Sequence, residues 1–101
     1  MALNSDKDSK IYTITLNPLD TDKIYKKDGD SMIAQKNAIN ETAYNKFLFS
    51  NEPEEKKIKI IFMNSLKFDE KNFVNKMDLI FIDGGHTFSI IKNDSEKAFK
   101  M

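Results

Sequence analysis

The stretch that decides the fold is Met77-Asp78-Leu79-Ile80-Phe81-Ile82-Asp83-Gly84-Gly85-His86-Thr87-Phe88. Leu79 to Ile82 is an unbroken apolar run of strand-forming residues, as expected of a strand covered on both faces. It ends abruptly in an acid, two glycines and the chain's single histidine. Thr87 then stands where a helix cap belongs, ahead of a run that sets Phe88, Ile91, Ser95 and Ala98 on one helical face. A buried strand feeding through a polar turn into a helix is half of a strand–helix–strand unit.

Working outward, two further strands are expected. Ile58 to Met63 (IKIIFM) is apolar on both faces toward its end and stops at Asn64-Ser65. Lys10 to Leu16 (KIYTITL) alternates apolar and polar positions and stops at Asn17-Pro18, because proline cannot donate to a ladder. Between them, residues 17–31 read as a polar connection with Gly29 as a turn residue. Residues 31–50 read as a helix whose stripe is Ile39, Ala43 and Phe47, flanked by Tyr44 and Leu48. Asn51 to Lys57 reads as a solvated, charged loop. Asp69 to Lys76 reads as a short helix with Phe73 and Val74 turned inward. Strands alternating with helices predict an α/β domain with a short parallel sheet of about three strands. The segment 77–82 is expected to be the most buried of them.

With 101 residues the chain holds one domain, 1–101. It contains no cysteine, which removes disulfides and thiolate metal sites. The 16 basic residues, all lysine, balance 16 acidic ones. Nucleic-acid binders carry a basic surplus and favour arginine's planar fork, so no nucleic-acid partner is expected. No apolar run approaches the ~20 residues of a membrane span, and Met1 to Asp6 has no signal-peptide pattern. The expectation is a soluble, cytoplasmic protein without a membrane partner.

In open α/β sheets ligands bind beyond the carboxyl ends of the strands. Here those ends are Thr15-Leu16-Asn17, Asn64-Ser65 and Asp83-Gly84-Gly85-His86. Asp83 is suited to a divalent metal or a cofactor hydroxyl, and His86 is the residue type that moves a proton near neutral pH. Each has a plainer reading. Asp-Gly-Gly is also an ordinary turn, Asp83 can cap the next helix, His86 can be a surface residue and Asn64-Ser65 a strand terminator. No GxGxxG phosphate loop exists among the chain's three glycines.

The run Lys76 to Phe88 resembles the fourth-strand motif of class I S-adenosylmethionine-dependent methyltransferases. It is most similar to the small-molecule and sugar O-methyltransferase-like group, where an apolar strand enters Asp-Gly-x-His and an aromatic. Ile90 to Ala98 resembles the helix that follows, Lys59 to Asp69 the third strand and its turn, and Lys10 to Pro18 the second strand. The likeness covers nearly the whole chain and is poorest over residues 19–57.

The resemblance implies a three-layer Rossmann-like fold, present here as a central and incomplete part. It implies that Thr15 and Asn17 hold the cofactor ribose, that Asn64 and Ser65 lie at the adenine, and that Asp83 and His86 are the catalytic residues. In metal-dependent relatives the acid at the position of Asp83 ligates magnesium. Thr15 stands where the family has its ribose-binding acid, Asn64 where it has an aspartate, and Met63 where it has a glycine.

The substrate implied is a small molecule or sugar, and the chain by itself is expected not to methylate. A receiver-type signalling domain also ends an apolar strand on an aspartate, but needs an acidic pair where this chain has Thr15-Leu16-Asn17. A non-catalytic α/β interaction module is the remaining alternative. In the family the first strand lies between the second and fourth. Without it, either segment 77–82 closes up against segment 10–16, or two copies form a homodimer through their sheet edges.

Overall fold

The computed structural model describes residues 1–17, 31–41 and 47–101. It is a small α/β arrangement built on one two-stranded sheet. Strand β1 (Ile11–Thr15) pairs parallel with β2 (Ile58–Phe62), with Ile11 opposite Ile58 and Thr15 opposite Phe62. Helix α1 (Met32–Glu41) lies between them in the chain, and helix α2 (Phe88–Ala98) follows. The parallel pairing of the first two expected strands is therefore present, each slightly shorter than its sequence pattern. Ser31 Oγ accepts the Ala34 N–H at 3.4 Å and begins α1 near its expected start. The polar connection at 18–30, with Gly29, and the expected helical positions Ala43 and Tyr44 lie outside the described residues. Leu48, expected on that helix's apolar stripe, sits in a turn and is fully exposed.

Alternation along β1 and β2 gives the sheet two faces, and aromatic rings cover each. On one, Tyr12 meets Phe73 edge-on, with ring centroids 5.0 Å apart, and Phe73 in turn packs on Phe68 at 5.4 Å. On the other, Phe47 lies 6.1 Å from Phe62 and stacks on Phe49. Such pairs contribute about 0.5–1.5 kcal/mol each beyond the area they bury. Phe68, at 8% exposure, is the one buried apolar residue among those described. The helix expected over 69–76 is a single 3-10 turn, Glu70–Phe73, capped by the Asp69 carboxylate, which accepts the Lys71 N–H. Phe73 turns inward as expected, whereas Val74 does not and is exposed. Asn75 takes a left-handed conformation (φ 55°) that ends the turn, a conformation asparagine tolerates better than most residues.

Residues 51–57 are more ordered than a solvated loop. Pro53 opens a 3-10 turn through Lys57. The Lys57 ammonium then reaches back to donate to the carbonyls of Ala2 at 3.2 Å and Ser5 at 3.0 Å. A lysine directly before β2 thereby ties the first residues of the chain to the sheet.

The largest departure is at 77–82. Leu79, Phe81 and Ile82 form no ladder with any described strand, and Leu79 and Phe81 are 72% and 71% exposed. The expected third and most buried strand is instead an irregular, largely exposed segment with a bend at Asp78, and it has not closed up against β1. Its two ends explain this. At one end the N–H groups of Lys76 and Met77 donate to the Met101 carbonyl, at 3.0 and 3.2 Å. At the other, Gly85 lies so close on Ile90 that a Cβ there would come within 2.8 Å of the Ile90 side chain. Both contacts tie the segment to α2 and the residues after it rather than to β1. Among the described residues no helix is long and apolar enough to cross a membrane.

Two outcomes are expected. Phe81→Ala should lower unfolding free energy by less than about 1 kcal/mol in urea titrations, against the ~3–5 kcal/mol of a buried phenylalanine. The second concerns Glu70, whose carboxylate accepts a 2.9 Å bond from Lys100. That bond, helped by the residue's own backbone N–H, holds the Glu70 carboxyl below its ordinary range, and the same bond raises the Lys100 ammonium. Glu70's contribution is present above its unfolded pKa and lost as pH falls through its lowered folded value. The Lys100 contribution is present below its unfolded pKa and lost as pH rises through its raised one. The Glu70 side-chain NMR titration should therefore be displaced to low pH, and Lys100→Met should return it to the usual range.

Candidate functional site

The parallel register brings two of the expected ligand-binding ends together. Thr15, the last residue of β1, accepts the Met63 N–H at 2.8 Å, so Thr15, Asn17, Asn64 and Ser65 lie at the same end of the sheet. All four are partly exposed. The Asn64 side chain accepts the Leu66 N–H at 2.9 Å and caps the 3-10 turn Ser65–Lys67. Asn64 thus performs the terminator role, which leaves its amide nitrogen as the group able to face a ligand.

That turn is also where α2 docks. The carbonyl of Ser65 accepts from the Lys97 ammonium at 2.6 Å and from the Asn93 amide at 3.3 Å, and the Leu66 carbonyl accepts from Lys97 at 3.2 Å. Asn93 also donates to the Asp94 carboxylate at 2.8 Å. Asp94 in turn lies against Gly84, where an added Cβ would stand 3.4 Å from its oxygen. The Asp83-Gly84 turn is therefore coupled to the carboxyl end of β2 through Asn93 and Asp94.

The α2 side chains that reach this turn are Asn93 and Lys97, one helical turn apart. On the face that carries Phe88, Ile91, Ser95 and Ala98, the first two are exposed and the last two half-buried. The Ser65 carbonyl also accepts the Phe68 N–H at 3.2 Å, so the polar side of α2 adds charge-assisted donors to the end of the 3-10 turn. Asn93 and Lys97 were not singled out by sequence. Their four-residue spacing on one helical face was the available signal, but lysine on a helix ordinarily points to water.

Asp83 and His86 are both exposed, on the segment that leads into α2. Thr87 occupies the N-cap position, and its carbonyl takes the first helical bond, from Ile91 at 3.0 Å. Its side chain does not cap. The residue is only 2% exposed, and its hydroxyl has no partner among the described residues. Nor do the described residues contain a group of three or more acids or histidines able to hold a metal ion. No family model, no curated protein and no solved structure matches the chain.

The two kinds of residue at this site should respond differently to substitution. Lys97→Met removes a charged donor from two part-buried carbonyls and should cost about 1.5–3 kcal/mol in urea denaturation. Asp83→Asn, at an exposed position, should change stability by less than about 0.5 kcal/mol. Comparable losses for both would mean that Asp83 holds the turn together.

Proposed function

We propose that this chain is part of an S-adenosylmethionine-dependent methyltransferase acting on a small molecule or sugar, with the three-layer Rossmann-like arrangement of that class, and that it does not methylate alone. The observation that carries the reading is the parallel pairing of β1 with β2, which sets Thr15 and Asn17 beside Asn64 and Ser65. Adjacent carboxyl ends of parallel strands are where α/β sheets hold nucleotide-like ligands. In this reading Thr15 and Asn17 bind the ribose hydroxyls, and Asn64 and Ser65 present polar groups to the adenine edge. Asp83 and His86 face the acceptor, where His86 is the group that takes a proton from a hydroxyl nucleophile.

The cofactor supplies the methyl group when bound; the chain's residues position it. The chain has three glycines and no glycine-rich loop to approach the cofactor closely, so its affinity is weak. Asp83 would be the protein ligand if a magnesium ion takes part, with water and substrate filling its other positions, since magnesium commonly takes only one or two carboxylates. A non-catalytic interaction module is the second reading, favoured by the exposure of Leu79 and Phe81.

Amide NMR titration with S-adenosylhomocysteine tests the proposal. The expected result is binding at about 1 mM, with shifts concentrated at Thr15, Asn17, Asn64 and Ser65. No shift at those residues by about 10 mM overturns the cofactor reading, and affinity near 1 μM overturns the statement that the chain cannot work alone.

A further inference from the structure

Asp83 is followed directly by Gly84, and the pair sits in surroundings that no other described aspartate shares. Both residues are exposed, in a stretch without regular structure. Residues 78–86 make no backbone hydrogen bond to another described residue, so the Gly84 amide is uncommitted. The Asp83 carboxylate takes no hydrogen bond or ion pair among the described residues, and the cap position of α2 belongs to Thr87. Beyond its chain neighbours, a Cβ added to Gly84 would meet only the Asp94 carboxylate among the described residues, at 3.4 Å. Glycine has no side chain to crowd its own nitrogen, and its backbone turns freely enough to bring that nitrogen onto the preceding carboxyl.

We propose that Asp83-Gly84 is a modification site at which the aspartate isomerises spontaneously through a succinimide. The Gly84 nitrogen attacks Cγ of Asp83. An N–Cγ bond forms, the Cγ–OH bond breaks, and the hydroxyl leaves with the amide proton as water. Nothing is oxidised or reduced. Water then adds to one of the two carbonyl carbons of the ring. Addition at Cγ breaks the new bond and restores aspartate. Addition at the main-chain carbon breaks its bond to nitrogen and leaves isoaspartate, an isomer of the same mass whose chain runs through Cβ and Cγ. Water is the sole co-reactant.

The other described aspartates each lack one of these conditions. The Asp69 carboxylate accepts the Lys71 N–H at 3.1 Å. The amide after Asp8, that of Ser9, donates to the Asp6 carbonyl at 3.1 Å. Asp94 lies inside α2, where the following amide is committed to the helix. Asp6 and Asp78 precede Lys7 and Leu79, whose side chains crowd the attacking nitrogen. Asp28-Gly29 has the same sequence and lies outside the described residues.

Isomerisation adds one carbon to the main chain, a bond of about 1.5 Å. The insertion falls between Met77, held on the Met101 carbonyl, and Gly85, held against Ile90. It also draws the free carboxylate back onto Cα, away from its original position. The inference rests on exposure, hydrogen bonding and the Asp-Gly bond, and stands whether or not the chain binds a nucleotide cofactor.

Storage of the full chain for several weeks at mildly acidic pH, followed by tryptic mapping, provides the test. The peptide 77–92 should split into two species of equal mass, and electron-transfer fragmentation should place the isoaspartate at residue 83. That peptide is separate from the one carrying Asp28. The rate in the native chain should match the rate in guanidinium chloride to within about tenfold, a comparison that needs no variant. Gly84→Ala, which the open space at that position accepts, should slow conversion by at least about fivefold with an unchanged circular dichroism spectrum. Absence of isoaspartate at residue 83, conversion more than about tenfold slower in the native chain than in guanidinium chloride, or an undiminished rate in Gly84→Ala would each overturn the proposal.

Discussion

The position of the whole carboxyl-terminal third depends on one ammonium group. Lys97 places its charge against the carbonyls of Ser65 and Leu66, at the end of the turn that leaves β2. The Ser65 carbonyl already accepts the Phe68 N–H within the 3-10 turn, and the Lys97 cation adds a stronger, charge-assisted donor to it and to the Leu66 carbonyl. With Lys97 and Asn93 on the turn, Phe88 and Ile91 are exposed, and Ile90 lies against Gly85.

Lysine does at two places in this molecule what apolar burial does in larger domains. Lys57 holds the first residues against the start of β2, and Lys97 holds α2 against its end. In both cases the ammonium closes a long-range contact onto backbone carbonyls while the aliphatic stem lies along the surface. A sheet of two strands offers little area to cover, and its aromatic cover is split between the Tyr12–Phe73–Phe68 group and the Phe47–Phe62 pair. Polar ties therefore carry an unusual share of the tertiary structure.

Sequence was a good guide where local pattern and tertiary demand agree. The alternation of Lys10 to Leu16 and the apolar run from Ile58 mark the two strands that pair, and Thr87-Phe88 marks the start of α2 within a residue. It was a poor guide where a pattern needs a partner to be realised. Leu79 to Ile82 has the composition of a central strand, but composition states only that both faces of a segment favour burial. It does not supply the neighbouring strand. The docking of α2 was not legible for a related reason, since periodicity ranks apolar residues and gives no weight to backbone carbonyls elsewhere in the chain. At the candidate site, the gathering of Thr15, Asn17, Asn64 and Ser65 follows from parallel pairing and was legible. The contact of Asn93 and Lys97 with the Ser65 carbonyl was not, because polar side chains on a helix give no pattern that names a backbone carbonyl elsewhere in the chain.

The bonds from Asn75, Lys76 and Met77 to Lys100 and Met101 have a consequence for motion. They close residues 75–101 into a ring whose two ends meet at one point, with Asn93, Lys97 and Lys100 among its side-chain links to the rest of the chain. Such a ring opens as a cooperative unit rather than fraying residue by residue. The turn bearing Asp83 and His86, near the middle of its first half, can then swing away from β2 while β1 and β2 stay paired. Local opening and global unfolding are in this way separate events, and the more weakly held of the two carries the acid and the histidine.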